Sequence, residues 1–329
     1  MDKRILGKSG IEVSPVGMGC MGLTHASGDP MEDADAIRVI REAHEMGYTF
    51  FDTAECYVGE RADGSLAYNE DVVGAALADV RDEVVIATKF GVHHAEGRGL
   101  ITDSNPKTIR TALEGSLRRL GTDYVDLYYQ HRIDPKVEPE EVAGAVAELI
   151  AEGKVRAWGI SEVNEDYLRR ANAVCPVAAV QNRYSMMARW HEPLFPVLEE
   201  LNVALVAFSP MANGFLTGAY NASTTFEGAQ DYRGSMPQYT DEGVRRAEPL
   251  LELVRDLAAK HNATPAQISM AWMLCKKPWI VPIPGSRKPG HLRENLGAAD
   301  VVLSAEEMAS VDTALDGMDL MVFGGHAAK

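Results

Sequence analysis

The sequence predicts a single domain built as a (β/α)8 (TIM) barrel with a short N-terminal β-hairpin. Three observations carry this. Eight short apolar runs alternate with segments of helical periodicity over about 270 of the 329 residues,. The runs are apolar nearly throughout, which suits strands of a parallel sheet covered by helices. Polar residues then gather at the C-terminal ends of the runs, where such a barrel carries its active site. A doubly wound sheet shares the alternation and is the competing arrangement, but no G-x-G-x-x-G follows the first run,.

Taken in order, residues 4–15 read as a hairpin around the turn cluster Gly7-Lys8-Ser9-Gly10,. A small, glycine-rich strand follows near 16–20. The stripe of Ala36, Ile37, Ile40 and Ala43 predicts a helix over 31–46, stopped by Gly47,. Strands are then expected near 48–53, 83–89, 124–131, 154–160, 177–181, 203–209 and 279–283. The helices between them are expected over 69–80, 105–120, 138–152, 165–174 and 194–201, with two more over 242–261 and 265–276. A polar stretch from about 217 to 240 interrupts the last repeats, and a tail runs from Gly317 to Lys329.

Composition narrows the function classes. The hydrophobic fraction of 46% suffices for a large core, and the net charge of -16 without a Lys/Arg-rich run argues against nucleic acid as a partner,. Cys20, Cys56, Cys175 and Cys275 are widely spaced, which fits neither a C-x-x-C metal motif nor a disulfide framework,. The start of the chain lacks the apolar core of a secretory signal, and no run reaches the roughly 18 apolar residues of a membrane span,. The expectation is a cytoplasmic protein without a membrane partner.

The strand ends supply the chemistry. The second strand, YTFFDT, ends on Asp52, with Tyr57 five residues on. The third ends on Lys89 and the fourth on His131. Singly, each reads as a structural feature, a salt-bridge arm or a packed aromatic. Together, from three consecutive strands, they must meet at a barrel mouth. A free tyrosine titrates near 10. An ammonium about 4 Å away at an effective dielectric near 20 favours the phenolate by a few kcal/mol, lowering that pKa by roughly one to three. In this arrangement Asp52 holds Lys89, His131 places a carbonyl oxygen, and Tyr57 donates a proton as the oxyanion develops. No metal is required; His93-His94 reads as a solvent-facing loop pair.

These residues resemble the catalytic tetrad of the aldo-keto reductase family, and the flanking text FFDTAECY, ATKFG, DLYYQH, GIS, QNRYS, AFSP and IPGSRKPGHLREN is similar to that family along nearly the whole chain. The resemblance implies a barrel that binds NAD(P)H and reduces a small aldehyde or ketone, and the local cation Arg287 in an acidic protein supports NADPH over NADH. It implies that Ser161, Asn164 and Gln181 hold the carboxamide and that Tyr184 stacks on the nicotinamide. Ser209, Pro210, Gly214, Leu216 and Gly218 are similar to the loop over the pyrophosphate. Gly285, Ser286 and Arg287 are similar to the segment meeting the 2′-phosphate, and Glu294 and Asn295 to the adenine contacts. Independently, a guanidinium at Arg287 suits bidentate phosphate binding in an acidic protein. The family's asparagine often directly follows the serine; here Glu162 stands there. The loop after Tyr57, VGERADGSLAY, is longer than the family's usual link. It is expected at the pocket rim together with 217–240 and the tail, with Phe90, Met186 and Trp190 as candidate walls. Two other readings fit parts of the pattern: an NADPH-binding sensor similar to the family's ion-channel β subunits, and a lyase using Lys89 as a Schiff base.

Overall fold

The computed structural model describes residues 2–94, 99–221, 223–226 and 231–324. Eight parallel strands run in chain order around a curled sheet. They are β3 (Met18–Gly19), β4 (Phe50–Asp52), β7 (Val85–Phe90), β10 (Val125–Gln130), β11 (Val155–Ser161), β12 (Ala179–Arg183), β13 (Ala204–Phe208) and β14 (Ile280–Pro282). The antiparallel hairpin β1 (Arg4–Ile5) and β2 (Glu12–Val13) precedes them. Its Leu6, Ile11 and Val13 plug the barrel interior together with Phe50, Val85, Leu127, Tyr129, Val206 and Val281.

The first and last strands meet through one-sided bonding. Gly17 N–H donates to Pro282 O at 2.9 Å, and Gly19 N–H donates to Pro284 O at 3.1 Å. Ile283 N–H points the other way, to Ala207 O. The residues of this last segment that face β3 are therefore both prolines, which accept but cannot donate. The backbones also approach closely here: a Cβ on Gly19 would lie 2.8 Å from Ile283 O, so a side chain is excluded. This half-ladder shortens the outer strands: Met18–Gly19 and Ile280–Pro282 are briefer than the expected 16–20 and 279–283.

The helices form where the periodicity places them: α1 (Asp33–Met46), α2 (Asn69–Leu77), α3 (Pro106–Leu120), α4 (Pro139–Ala151), α5 (Glu165–Val174), α6 (Phe195–Leu201), α7 (Asp241–His261) and α8 (Pro265–Lys276). Gly47 and Gly121 end α1 and α3 in the left-handed region, at φ 110° and 64°,. Thr264 and Gln267 form a capping box on α8,. Two helices beyond β14, α9 (Pro289–Leu296) and α10 (Ala305–Asp316), add to the expected elements. Two small hairpins also lie between the barrel strands: β5 (Val58–Glu60) with β6 (Leu66–Tyr68), and β8 (Val92–His94) with β9 (Leu100–Thr102). The first is the lengthened loop after Tyr57. Its turn holds Asp63-Gly64, with Gly64 at φ 82°,. Among the described residues no helix is long and apolar enough to cross a membrane.

Strand parity sorts the side chains. In β12, Ala179 faces the interior and Val180 the helices; in β13, Val206 faces the interior and Leu205 and Ala207 the helices,. The same parity carries Asp52, Lys89, Gln181 and Phe208 to the C-terminal mouth.

Candidate active site

The deepest part of the mouth is an ion pair. Lys89 Nζ donates to Asp52 Oδ1 at 2.5 Å and to Thr53 O at 2.6 Å, with Lys89 fully buried. Gln181 Nε2 donates to the other carboxylate oxygen of Asp52 at 2.7 Å. Burial works against the Lys89 ammonium, but Asp52 and then Tyr57 outweigh it, and its pKa lies above the usual lysine value. A buried charge persists only when paired in this way.

Tyr57 sits above that pair. Its ring centroid is 4.8 Å from Lys89 Nζ, and the ammonium works to favour the phenolate. His131 meets the Tyr57 ring edge-on, with centroids 5.7 Å apart and planes at 82°. On another side His25 lies nearly parallel to the ring at 6.1 Å. Asp52, Tyr57, Lys89 and His131 thus come together from β4, β7, β10 and the loop after β4. The loop is tied down by Asn69, whose Oδ1 accepts from Thr53 Oγ1 at 2.6 Å and whose Nδ2 donates to Cys20 O and Thr24 Oγ1, both at 2.9 Å.

One expectation is reversed. Burial pushes the Tyr57 phenol up to about 12, and Lys89 pulls it only part of the way back. Weighing the ammonium without desolvation gives the wrong sign, because desolvation is the larger effect even for a partly buried phenol in these surroundings,.

The second half of the mouth is built from β11 to β14. Ser161 Oγ donates to Gln181 O at 2.8 Å and accepts from Arg132 Nη1 at 3.0 Å. Asn164 is exposed and caps α5, its Oδ1 accepting from Tyr167 N at 2.9 Å, so the structure commits it to the helix rather than to the mouth,. Tyr184 is also elsewhere. It stands three residues after Gln181 and therefore on the opposite face. There it is fully buried, stacked on Trp272 at 5.3 Å and packed edge-on against Phe195, with its hydroxyl on Glu192. The aromatic that does reach the mouth is Phe208, at the end of β13 and only partly buried. Arg183 lies 4.9 Å and Arg132 5.9 Å from its ring centroid. Parity with Val206 could have found it.

After Phe208 the backbone winds through Ser209 (φ 51°), Ala212 (φ 49°), Asn213 (φ 63°), Gly214 (φ 97°) and Gly218 (φ 71°). Three of these are non-glycine residues in the left-handed region, a strained run that the surroundings must hold. Ser269 Oγ holds Pro210 O at 3.2 Å and Tyr239 OH holds Asn213 O at 2.9 Å, while Leu216 is fully buried. The segment 217–240 packs Tyr220, Phe226 and Tyr239 together beside this loop, with residues 222 and 227–230 outside the described residues.

Beyond β14, Gly285 is exposed, Ser286 Oγ accepts from Lys288 N at 3.1 Å, and Arg287 Nε donates to Gly22 O at 2.5 Å. Burial, and then Arg233, lowers the Arg287 pKa from its usual value. Glu294 accepts at its backbone from Gln267, and Asn295 is buried beside it. Among the described residues Arg287 Nη2, Asn295 Nδ2 and Asn182 Nδ2 are buried donors with no hydrogen-bond partner. Buried donors without partners are costly and fit a ligand rich in acceptors. Phosphate, ribose and amide oxygens are such acceptors, so these residues fit a phosphorylated dinucleotide.

Of the expected rim, Phe90 and Met186 are buried between strands and helices, and Trp190 packs partly buried against the same layer. His93 is exposed and the His94 side chain is outside the described residues. In the tail, Phe323 lies against Tyr232 at 5.7 Å and Arg183 at 5.4 Å, and residues 325–329 are outside the described residues. No group of three His, Cys, Asp or Glu among the described residues is placed to hold a metal ion.

The molecule is a parallel barrel with a buried acid–ammonium pair under a tyrosine and a histidine at its C-terminal mouth. A profile of the Aldo/keto reductase family matches residues 15–316, and the chain belongs to that family. A probable aldo-keto reductase 1 of Glycine max is 39% identical over 311 residues, covering 93% of this chain and 86% of that protein. An aldo-keto reductase of Strobilurus tenacellus, str7, is 37% identical over 310 residues, 91% of this chain and 88% of its own. Among solved structures, the glycerol dehydrogenase AKR11B4 from Gluconobacter oxydans superposes with a TM-score of 0.86 at 27% identity, over 99% of both chains. An aldo/keto reductase from Klebsiella pneumoniae, solved with NADP and acetate, gives 0.71 at 27% identity over 98% of this chain and all of that one. The family assignment supports oxidoreductase activity on carbonyl compounds.

Proposed function

We propose that the protein is a cytoplasmic NADPH-dependent reductase of small aldehydes or ketones, forming one domain over 1–329 in which Tyr57 is the proton donor. The observation that carries this is the closed set Asp52–Lys89–Tyr57–His131, whose ion pair is made before any substrate arrives. When bound, the reduced nicotinamide supplies the hydride for the carbonyl carbon.

The chain's own residues handle the proton and the geometry. With its pKa near 12, Tyr57 carries its proton throughout the physiological range. An alkoxide is a far stronger base than a phenolate, so the transfer from Tyr57 oxygen to substrate oxygen runs downhill. Lys89 then stabilises the phenolate left behind, and Asp52 keeps Lys89 charged in its buried position,. His131 orients the carbonyl oxygen toward the phenol. Ser161 would hold the carboxamide end, Phe208 would offer the stacking face, and the strained loop 209–218 would cover the pyrophosphate. Arg287 would meet the 2′-phosphate and Asn295 the adenine end. Glu294 stays with Asn295 in that proposed contact, whereas Gln181 acts through Asp52.

The direct test uses a panel of aldehydes and ketones with NADPH deuterated on the transferred position. Deuterium at the carbinol carbon of the product is expected. Tight NADPH binding with no product from any carbonyl would contradict the reading.

A further inference from the structure

We propose that Cys56 is a positioning residue for the reaction: its thiol donates to Nδ1 of His131 and so keeps the imidazole proton on Nε2. This rests on the reading of His131 as the group that orients the carbonyl.

Cys56 Sγ lies 3.4 Å from His131 Nδ1, and both side chains are buried. The contact is held from both ends. Cys56 sits in a tight turn closed by Tyr57 N–H to Ala54 O at 3.1 Å and Val58 N–H to Cys56 O at 2.9 Å. His131 N–H donates to Phe90 O at 3.0 Å, fixing the residue at the end of β10. Residue 56 immediately precedes Tyr57, so the proton donor and the residue that sets its histidine neighbour ride on one turn.

The direction of the bond follows from the chemistry. Burial pushes the Cys56 thiol up to about 12, so the sulfur keeps its hydrogen. A thiol is a poor acceptor, whereas an unprotonated imidazole nitrogen is a good one. The favoured pairing is S–H to Nδ1, and the partner of one ring nitrogen decides which nitrogen bears the proton. A histidine with its proton on Nε2 is a hydrogen-bond donor there. The opposite tautomer would turn a lone pair toward a carbonyl oxygen and repel it. Tyr57 is thus flanked by two groups set independently, Lys89 by Asp52 and His131 by Cys56.

The experiment is 15N NMR of the full chain labelled at histidine, with His131→Gln supplying the assignment. The wild type should show a pyridine-type Nδ1 and a pyrrole-type Nε2 at His131. Cys56→Ala should move both signals toward the averaged position of a mixed tautomer. Losing this weak donor, and with it the lock on the tautomer, should lower kcat about fivefold, with the Kd for NADPH unchanged. Cys56→Ser, which can still donate, should restore kcat to within about twofold of wild type. Should the alanine variant fold poorly, Cys56→Val fills the space without donating and carries the same expectation. A pyrrole-type Nδ1 in the wild type, or an unchanged pattern and kcat in Cys56→Ala, would overturn the proposal. A locked pattern that Cys56→Ala releases, in a protein that reduces no carbonyl, would support the hydrogen bond and sink the reductase reading instead.

Discussion

The two halves of the barrel mouth are built on opposite terms. On the β4–β7–β10 side the charged and catalytic-candidate groups are paired, although the Tyr129 hydroxyl below them is not: Asp52 has Lys89 and Gln181, and Cys56 has His131. On the β11–β14 side several donors among the described residues end in no partner, and the backbone after β13 runs through the left-handed region. The first half meets its charges from within the protein, as the proposed proton transfer requires. The second half retains unmatched donors, which a ligand rich in acceptors would satisfy,. Removing a group from the first half should therefore damage chemistry or stability, whereas removing one from the second should damage binding.

The largest stability effect is expected at the ion pair. Lys89→Met leaves the Asp52 carboxylate buried and unpaired, which should cost about 3–5 kcal/mol in denaturant unfolding. Asp52→Asn in the same chain should recover most of that while activity stays lost. A double variant no more stable than Lys89→Met would contradict the assignment of the pair as the seat of the effect.

On the other half, Arg287→Ala should weaken NADPH binding by about 1.5–3 kcal/mol, roughly ten- to a hundredfold in Kd. NADH binding should hardly change, because it lacks the phosphate. Titration with both cofactors separates these, and an equal loss for both would remove Arg287 from the 2′-phosphate. Phe208→Ala should be milder, at about 0.5–1.5 kcal/mol for the lost stacking face, whereas Tyr184→Phe should leave cofactor affinity as it is.

A comparably small effect is expected beside the tetrad, at Glu55. Its carboxyl accepts from Gly91 N–H at 3.0 Å, and burial pushes its pKa up to about 7 from an ordinary value of 4.5. Between those two values the folded chain binds more proton than the unfolded chain, so this group makes stability fall as pH rises from about 4.5 to 7. Glu55→Gln should flatten that decline and gain on the order of 1 kcal/mol at pH 8. A steeper decline in the variant would reverse the sign argued here.

The same contrast governs what can be read from the sequence. The tetrad is legible because a charged residue rarely closes an apolar strand without a partner to meet, and Asp52, Lys89 and His131 do so in three successive strands. The barrel follows from the same runs. Tyr184 is misplaced when an aromatic near Gln181 is counted by proximity rather than by parity; three residues on is the outer face. Phe208 looks like one more apolar residue of β13, although it is in phase with Val206. Asn164 carries its own signal, an asparagine just before Glu165-Asp166 that reads as a helix cap. The pKa of Tyr57 is not legible, because desolvation depends on how completely the loop closes over it. The hairpin over 58–68 could have been found from Asp63-Gly64 between its two arms.

The central claim is that the paired half of the mouth delivers the proton through Tyr57. The most direct measurement is the pre-steady-state rate of NADPH oxidation by a reactive aldehyde in Tyr57→Phe, alongside the Kd for NADPH. The expected result is a rate lower by about 10²–10⁴-fold, the range for loss of a general acid, with Kd within about twofold of wild type. A Tyr57→Phe enzyme that turns over at the wild-type rate would contradict the account.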